Sequence, residues 1–202
     1  MVRGAPVLMV GPDPGVVERE LTAGELSCPA CCGELRPWGH TRRWLRDRAT
    51  ERVVALRRSR CRSCLGTHVL LPVVTLGRRL DLAGVIGAAL VAKAAGVGHR
   101  RVAAALGLPR TTVRGWLRRF AARAELVRAQ FTALAYALDP ELTPITPRGS
   151  PAADALEAIG VAARAAARRL GPAPPWSFAA GASGGRLLAT QANTPAPLVA
   201  VR

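Results

Sequence analysis

The chain has 202 residues, half of them hydrophobic but only 4% aromatic, and a net charge of +16 from 29 Lys and Arg against 13 Asp and Glu. That length holds one ordinary domain or two small ones. The longest apolar runs, such as Leu80 to Val97, are interrupted by Asp81 and Lys93, which excludes a membrane-spanning helix there.

The positive charge is concentrated. Between Arg36 and Arg128 there are 21 Lys and Arg against four acids, Asp47, Glu51, Asp81 and Glu125, whereas the two flanks together hold 8 basic and 9 acidic residues. Such a block is expected to meet a polyanion, because each phosphate contact releases condensed counterions. The opening MVRGAPVLMVGPDPG is too short and too broken by Gly and Pro for a signal sequence. A cytoplasmic location is therefore expected, where cysteines stay reduced and bind metal more readily than they pair.

In chain order, the apolar run Val7 to Val10 precedes the breaker GPDPG and reads as an edge strand or a loose arm. Glu18 to Glu25 fits a short helical turn. Next come Cys28-Pro-Ala-Cys31 and, after 29 intervening residues, Cys61-Arg-Ser-Cys64, each pair followed closely by glycine. Two CxxC knuckles can aim four thiolates at one tetrahedral Zn²⁺ while the segment between them forms a β-hairpin. Arg36 to Arg46 and Glu51 to Arg60 are strand-like around the turn Asp47 to Thr50, and Thr67 to Leu71 reads as a third strand ended by Pro72. No βαβ pattern surrounds the first CxxC, which argues against a redox dithiol.

Cys32 competes with Cys31 for the ligand role, although matched spacing and Gly33 favour Cys31. His68 lies where a fifth donor could sit but reads as a structural strand residue. The expected metal is structural Zn²⁺, because four protein ligands leave no position open for a substrate. The ribbon is basic, and Arg42, Arg43, Arg57 and Arg58, with Trp38 and Trp44 interleaved, are candidates for phosphate contact.

Leu80 to Ala95 predicts a largely apolar helix, broken by Gly96-Val97-Gly98. In GHRRVAAALGLPRTTVRGWLRRF, residues 98–120, Val102, Ala103, Leu106, Leu108, Val113 and Trp116 fall where two helices joined by a tight turn touch one another. Gly107 supplies the positive φ of that turn, and Pro109 fits the first turn of the following helix. Arg110, Thr111, Thr112 and Arg114 then fall on the exposed N-terminal part of the second helix, which suits them to base edges in a major groove. Arg100, Arg101, Arg118 and Arg119 are the candidate backbone contacts, and His99 is read as a helix-start surface residue. Arg119 to Ala137 continues helical, with Leu126, Phe131, Leu134 and Leu138 available for packing or for a partner. Pro140, Pro144, Pro147 and Pro151 mark a linker, and Ala152 to Leu170 is an Ala-rich helix ended by Gly171-Pro172.

The combined run of CPxC and CRxC knuckles, THVLLP and the helix pair ending TVRGWLRRF resembles the zinc-ribbon and helix-turn-helix front part of mobile-element transposases. The resemblance spans roughly residues 18–135 and implies sequence-specific binding of double-stranded DNA, at transposon ends among other targets. It implies no nuclease: the basic block holds only four acids, and the Pro-rich C-terminal part is too short for a three-carboxylate catalytic core.

The expected fold class is mainly α with a small β zinc ribbon. It is organised as an N-terminal arm (1–25), a four-cysteine zinc ribbon (26–76), a three-helix helix-turn-helix domain (77–138), a Pro-rich linker (139–151), an Ala-rich helix (152–171) and a low-order tail (172–202). The expected function is that of a DNA-binding transposon accessory or truncated transposase-like protein, not an enzyme. A transcriptional regulator and a zinc-ribbon protein adaptor are the alternatives. Expected partners are duplex DNA, together with a transposase or a second copy docking through 121–138 or the C-terminal helix, and no membrane.

Overall fold

The computed structural model describes residues 7–189. Its elements are β1 (Val7–Val10), α1 (Pro14–Ala23), β2 (Leu35–Asp47), β3 (Thr50–Cys61), β4 (Thr67–Pro72), α2 (Ala83–Ala94), α3 (His99–Leu106), α4 (Arg110–Ala121), α5 (Ala124–Leu138), α6 (Pro151–Leu170) and α7 (Pro175–Ala182). The strands form one mixed sheet in the order β1-β4-β3-β2. β1 runs parallel to β4, from Val7 opposite Val69 to Val10 opposite Pro72, and the other pairs are antiparallel.

This corrects the expected fold class. The chain is not mainly α with an N-terminal ribbon followed by a separate three-helix domain; it combines a four-stranded mixed sheet with seven helices among the described residues, 46% helix and 22% strand. Two physical causes account for the difference. The run Val7 to Val10 adds a strand to the outer edge of β4, a non-local pairing that periodicity within the run does not reveal. On the helical side, one buried cluster runs from Leu76 through α2, α3, α4, α5, α6 and α7 to Leu188, so α2 to α4 share their core with everything that follows.

The β2–β3 hairpin is long, with strands of 13 and 12 residues in register from Leu35 opposite Cys61 to Asp47 opposite Thr50. Leu45 and Leu56 are buried, while Trp44 and Val53 face each other across the strands in the open. Its far end is pinned to the helical body. Arg46 offers its Nε to Asp81 at 2.7 Å and an Nη at 3.1 Å, and its backbone bonds to Leu80 and Leu82. Asp81 is buried, so this two-pronged, charge-assisted pairing is what permits a carboxylate there.

Helix ends follow local chemistry. Asp13 caps α1 by accepting from the Gly15 amide at 2.7 Å, and left-handed Gly24 closes it. Ser150 caps α6 by accepting from the Ala153 amide at 3.3 Å, with Pro151 in the first turn, Asp154 near the start and Arg168 and Arg169 near the end, as the helix dipole favours.

The expected low-order tail differs as well. Pro175–Ala182 is helical, Leu187 and Leu188 are buried, and the ring of Phe178 meets Phe131 edge-on at 6.2 Å. Gly87 of α2 leaves the space that Trp176 occupies; a Cβ there would overlap the indole. Packing through small residues at close approach leaves little apolar periodicity, which is why the segment reads as loose. The remainder of that expected tail, 190–202, lies outside the described residues. Among the described residues no helix is long and apolar enough to cross a membrane.

Candidate metal centre and nucleic-acid interface

The two CxxC segments fold into matching knuckles. The Cys28 amide donates to Gly33 O at 2.8 Å, and the Cys61 amide donates to Gly66 O at 2.9 Å. The residue after the second cysteine is left-handed in both, Cys32 at φ 58° and Leu65 at φ 59°. Cys32 is thus the counterpart of Leu65, a turn residue exposed to solvent. Gly33 follows because a side chain there would run into Ser63 and the Cys61 sulfur.

The knuckles bring Cys28, Cys31, Cys61 and Cys64 together with all four sulfurs within 4.8 Å of one another. The Cys31 and Cys61 sulfurs are 3.5 Å apart, and those of Cys28 and Cys64 are 3.7 Å apart. Four sulfurs held at about 2.3 Å from a tetrahedral ion lie about 3.8 Å from each other, so the cluster is positioned to hold a metal ion. Cys32 is not in the set, which settles the choice in the first knuckle in favour of Cys31.

The local amides prepare the site for thiolates. The backbone N–H of Cys64 is the main influence drawing the Cys61 thiol down to about 6, and the neighbouring Cys31 and Ser63 groups add to it. At Cys64 the Gly66 amide pulls downward, but the adjacent Cys31 and Cys61 sulfurs outweigh it and the thiol is raised. A metal ion removes that conflict by taking the charge of all four.

His68 is fully buried against the centre, its Nε2 lying 3.3 Å from the Cys28 sulfur. Burial pushes its ring below the usual histidine range, which favours the neutral form beside this sulfur. Its Nδ1 has no partner among the described residues, and neither has the buried hydroxyl of Ser59, the residue directly opposite on β3. The sequence placed His68 on a strand just past the knuckle. Its contact with Cys28 depends on the fold of β4 against β3 and has no signature of its own.

Exposed arginines lie on the helical side as well as on the hairpin. Gly107, at φ 66°, ends α3 and turns the chain into α4. Val102, Ala103, Leu106, Leu108, Val113, Trp116 and Phe120 are buried there. Pro109 stands one residue before the helix, at its cap, rather than in the first turn. Arg110, Arg114 and Arg118 recur at four-residue spacing and line one face of α4, all three exposed; Thr111 is exposed and Thr112 half-buried. Arg100 and Arg101 lie on α3, both exposed.

All 13 carboxylates of the side chains lie among the described residues, yet none comes within ion-pair distance of Arg100, Arg101, Arg110, Arg114, Arg118 or Arg119. The hairpin arginines divide. Arg42 and Arg58 have no carboxylate partner among the described residues. Arg57 is held by Glu18 at 2.8 Å and by Gly39 O, and Arg43 donates to Leu76 O at 3.2 Å and to Arg79 O. Arg43 and Arg57 therefore act within the fold. Trp38, at an irregularity in the strand pairing, lies 4.7 Å under the Arg60 guanidinium. Of the α5 residues offered for packing or for a partner, Phe131 is buried in the chain's own core, Leu134 and Leu138 are half-buried and Leu126 is exposed.

Residues 28–116 match a family model described as a domain of unknown function, DUF6431, a little under half of the chain. The match begins at the first cysteine of the cluster and ends at Trp116 in the middle of α4, so it takes in both the metal centre and the arginine-bearing helix. No curated protein and no solved structure matches the chain.

Proposed function

We propose that the protein binds double-stranded DNA with sequence preference. In this reading α4 lies in the major groove, and the cysteine cluster holds a structural Zn²⁺. The observation that carries it is the row Arg110, Arg114 and Arg118 on one face of α4, free of carboxylates, with Thr111 beside it. An unpaired guanidinium row on one helix face, following a tight glycine turn, supplies forked donors for guanine and charge for phosphates together. Arg110 and Arg114 are assigned to base edges with Thr111 and Thr112. Arg118, Arg119, Arg100, Arg101, Arg42 and Arg58 are assigned to the backbone.

The zinc assignment is supported by the four-thiolate donor set and its tetrahedral spacing. Such an ion fixes the knuckles and holds β3 and the strands beside it in place; with four protein ligands it presents no open position for a substrate. The resemblance to transposase front parts makes mobile-element ends the first targets to examine.

Selection of bound duplexes from a random pool, at stated salt, tests the reading. A recovered consensus of one or two half-sites is expected. Retention of all sequences alike would reject sequence preference. Elemental analysis is expected to find about one zinc per chain and none in Cys61→Ser.

A further inference from the structure

The tip of the β2–β3 hairpin meets the turn that leads into α4. Asp47 and Thr50 face each other across a two-residue turn, Arg48-Ala49, and both turn residues are exposed. A Cβ placed on Gly107, between α3 and α4, would stand 3.9 Å from the Ala49 methyl carbon, an ordinary van der Waals contact. The tip is held in that place. The Arg46 N–H donates to Leu80 O at 2.8 Å, the Leu82 N–H donates to Arg46 O at 3.0 Å, and the Arg46 guanidinium grips Asp81 just before α2. Arg110 opens α4 three residues beyond Gly107, at most about 11 Å away. The tip therefore lies beside the N-terminal end of α4, the end that faces base edges when such a helix enters a groove.

Two arginines are displayed there. Arg48 is left-handed at φ 54° in the first central position of the turn, where a two-residue hairpin favours glycine. An arginine stands where glycine would sit without strain, and strain of this kind gathers where a side chain has a task. Arg52 lies directly opposite Leu45 and alternates onto the same face as Leu56. Those two leucines are buried, but Arg52 is exposed at the rim. Neither arginine has a carboxylate within ion-pair distance among the described residues. Of the acids nearby, Glu51 faces Arg46 at 3.6 Å, and Asp47 stands in the closing pair of the turn opposite Thr50.

We propose that the hairpin tip is a second DNA-contacting element, with Arg48 and Arg52 meeting backbone phosphates of the duplex beside the groove that α4 enters. The inference rests on the DNA-binding reading and adds to it a contact carried by the sheet. Exposed guanidinium groups on a protruding turn offer forked donors to phosphate oxygens, and the docking of Ala49 against the α3–α4 turn sets their place relative to the arginine row. β3, which presents Arg52, ends at Cys61 in the cysteine cluster, so a metal ion that fixes the knuckle also steadies this strand.

The full-length, metal-loaded protein is compared with Arg48→Gly, Arg52→Gln and Arg19→Gln, each titrated with duplex DNA over a range of salt. Arg48→Gly is the sharper variant, because glycine suits this turn and the melting temperature is expected to hold. Each tip variant is expected to lower the slope of log K against log salt by about 0.9, the value for one phosphate, and to leave the selected consensus unchanged. Arg19 is the control. It is exposed on α1, whose Val17 and Leu21 pack at the knuckle end, and it has no carboxylate within ion-pair distance among the described residues. Its loss removes an equal charge and should leave the slope alone. Should Arg52→Gln fail to fold, Arg48→Gly decides. A wild-type slope in Arg48→Gly, in a protein that still binds duplex with its consensus, overturns the proposal and spares the DNA-binding reading. A slope lowered equally by Arg19→Gln also overturns it, since attraction to net charge then accounts for the effect. Absence of duplex binding by the wild-type protein rejects that reading and the proposal with it.

Discussion

The sheet end and the helical body are stabilised in different ways. Around the knuckles only seven residues form the buried cluster, Val10, Val17, Leu21, Cys28, Leu35, Cys61 and Leu70, and two of these are candidate metal ligands. The helical body buries 26 residues in one cluster, ten of them alanines that let helices approach closely. A cluster of seven removes too little apolar surface to hold this end of the chain together, whereas 26 suffices for an ordinary small domain. On the proposed reading, one end of the molecule depends on an ion and the other on packing.

Taking the metal away is the largest perturbation this contrast predicts. Chelation, or Cys61→Ser, removes an apparent binding free energy of about 10 kcal/mol or more, typical of structural zinc at neutral pH. Loss of hydrogen-exchange protection is expected in β3, β4 and α1, with the amides of α5 and α6 still protected. Uniform loss across both ends would show that they fold as one unit and would end the comparison. His68→Ala is the milder version. Removing the imidazole that contacts the Cys28 sulfur is expected to weaken metal affinity about 10- to 100-fold without changing the loaded stoichiometry, read by competition with a chelator dye.

The converse lesion belongs to the helical body. Gly87→Ala places a methyl group where the Trp176 ring lies, so either α7 moves off α2 or the helices part. Overpacking of this kind costs about 1–3 kcal/mol, which lowers the melting temperature by roughly 3–10 °C in a chain of this size. Zinc content should be untouched. Loss of zinc in this variant would mean that the ion's site depends on the distant packing.

How much of this was legible in the sequence follows from how local each feature is. The knuckles were legible because two cysteines, a turn and a glycine fall within six residues; that spacing favoured Cys31 over Cys32, and the clustering of the sulfurs decides it. Helices α3 and α4 and the glycine between them were legible for the same reason. What the sequence did not show is contact between remote segments: β1 against β4, Trp176 over Gly87, and Leu187 and Leu188 in the core. The contacts of Arg43 and Arg57 within the fold were hidden in the same way. A basic strand looks uniformly available to phosphates until Glu18 and the carbonyls of Leu76, Arg79 and Gly39 are brought to it.

The contrast extends to charge, since arginines of the helical body fall into two sets. On α6, Arg164 reaches Glu157 at 3.5 Å and Arg168 reaches Asp139 at 2.5 Å; on α4 no arginine has such a partner among the described residues. If duplex DNA is the ligand, Arg114→Ala is expected to cost roughly 1–3 kcal/mol at one base pair of the selected site and to relax preference there. Arg164→Ala should leave both affinity and preference within error, because its charge is answered inside the fold.

The smallest effect is the most discriminating. Arg118→Ala should weaken specific and random duplexes by the same factor and lower the salt slope by about one unit, leaving the consensus unchanged. Arg168→Ala removes the same charge from the same chain but should leave that slope alone, since its guanidinium is already engaged by Asp139 and meets no phosphate. If the two variants behave alike, long-range attraction to a +16 chain is the whole of the interaction, and α4 has no privileged place in it. If only Arg118→Ala moves the slope, the unpaired row on α4 is where the phosphates are met, and net charge alone is not the explanation.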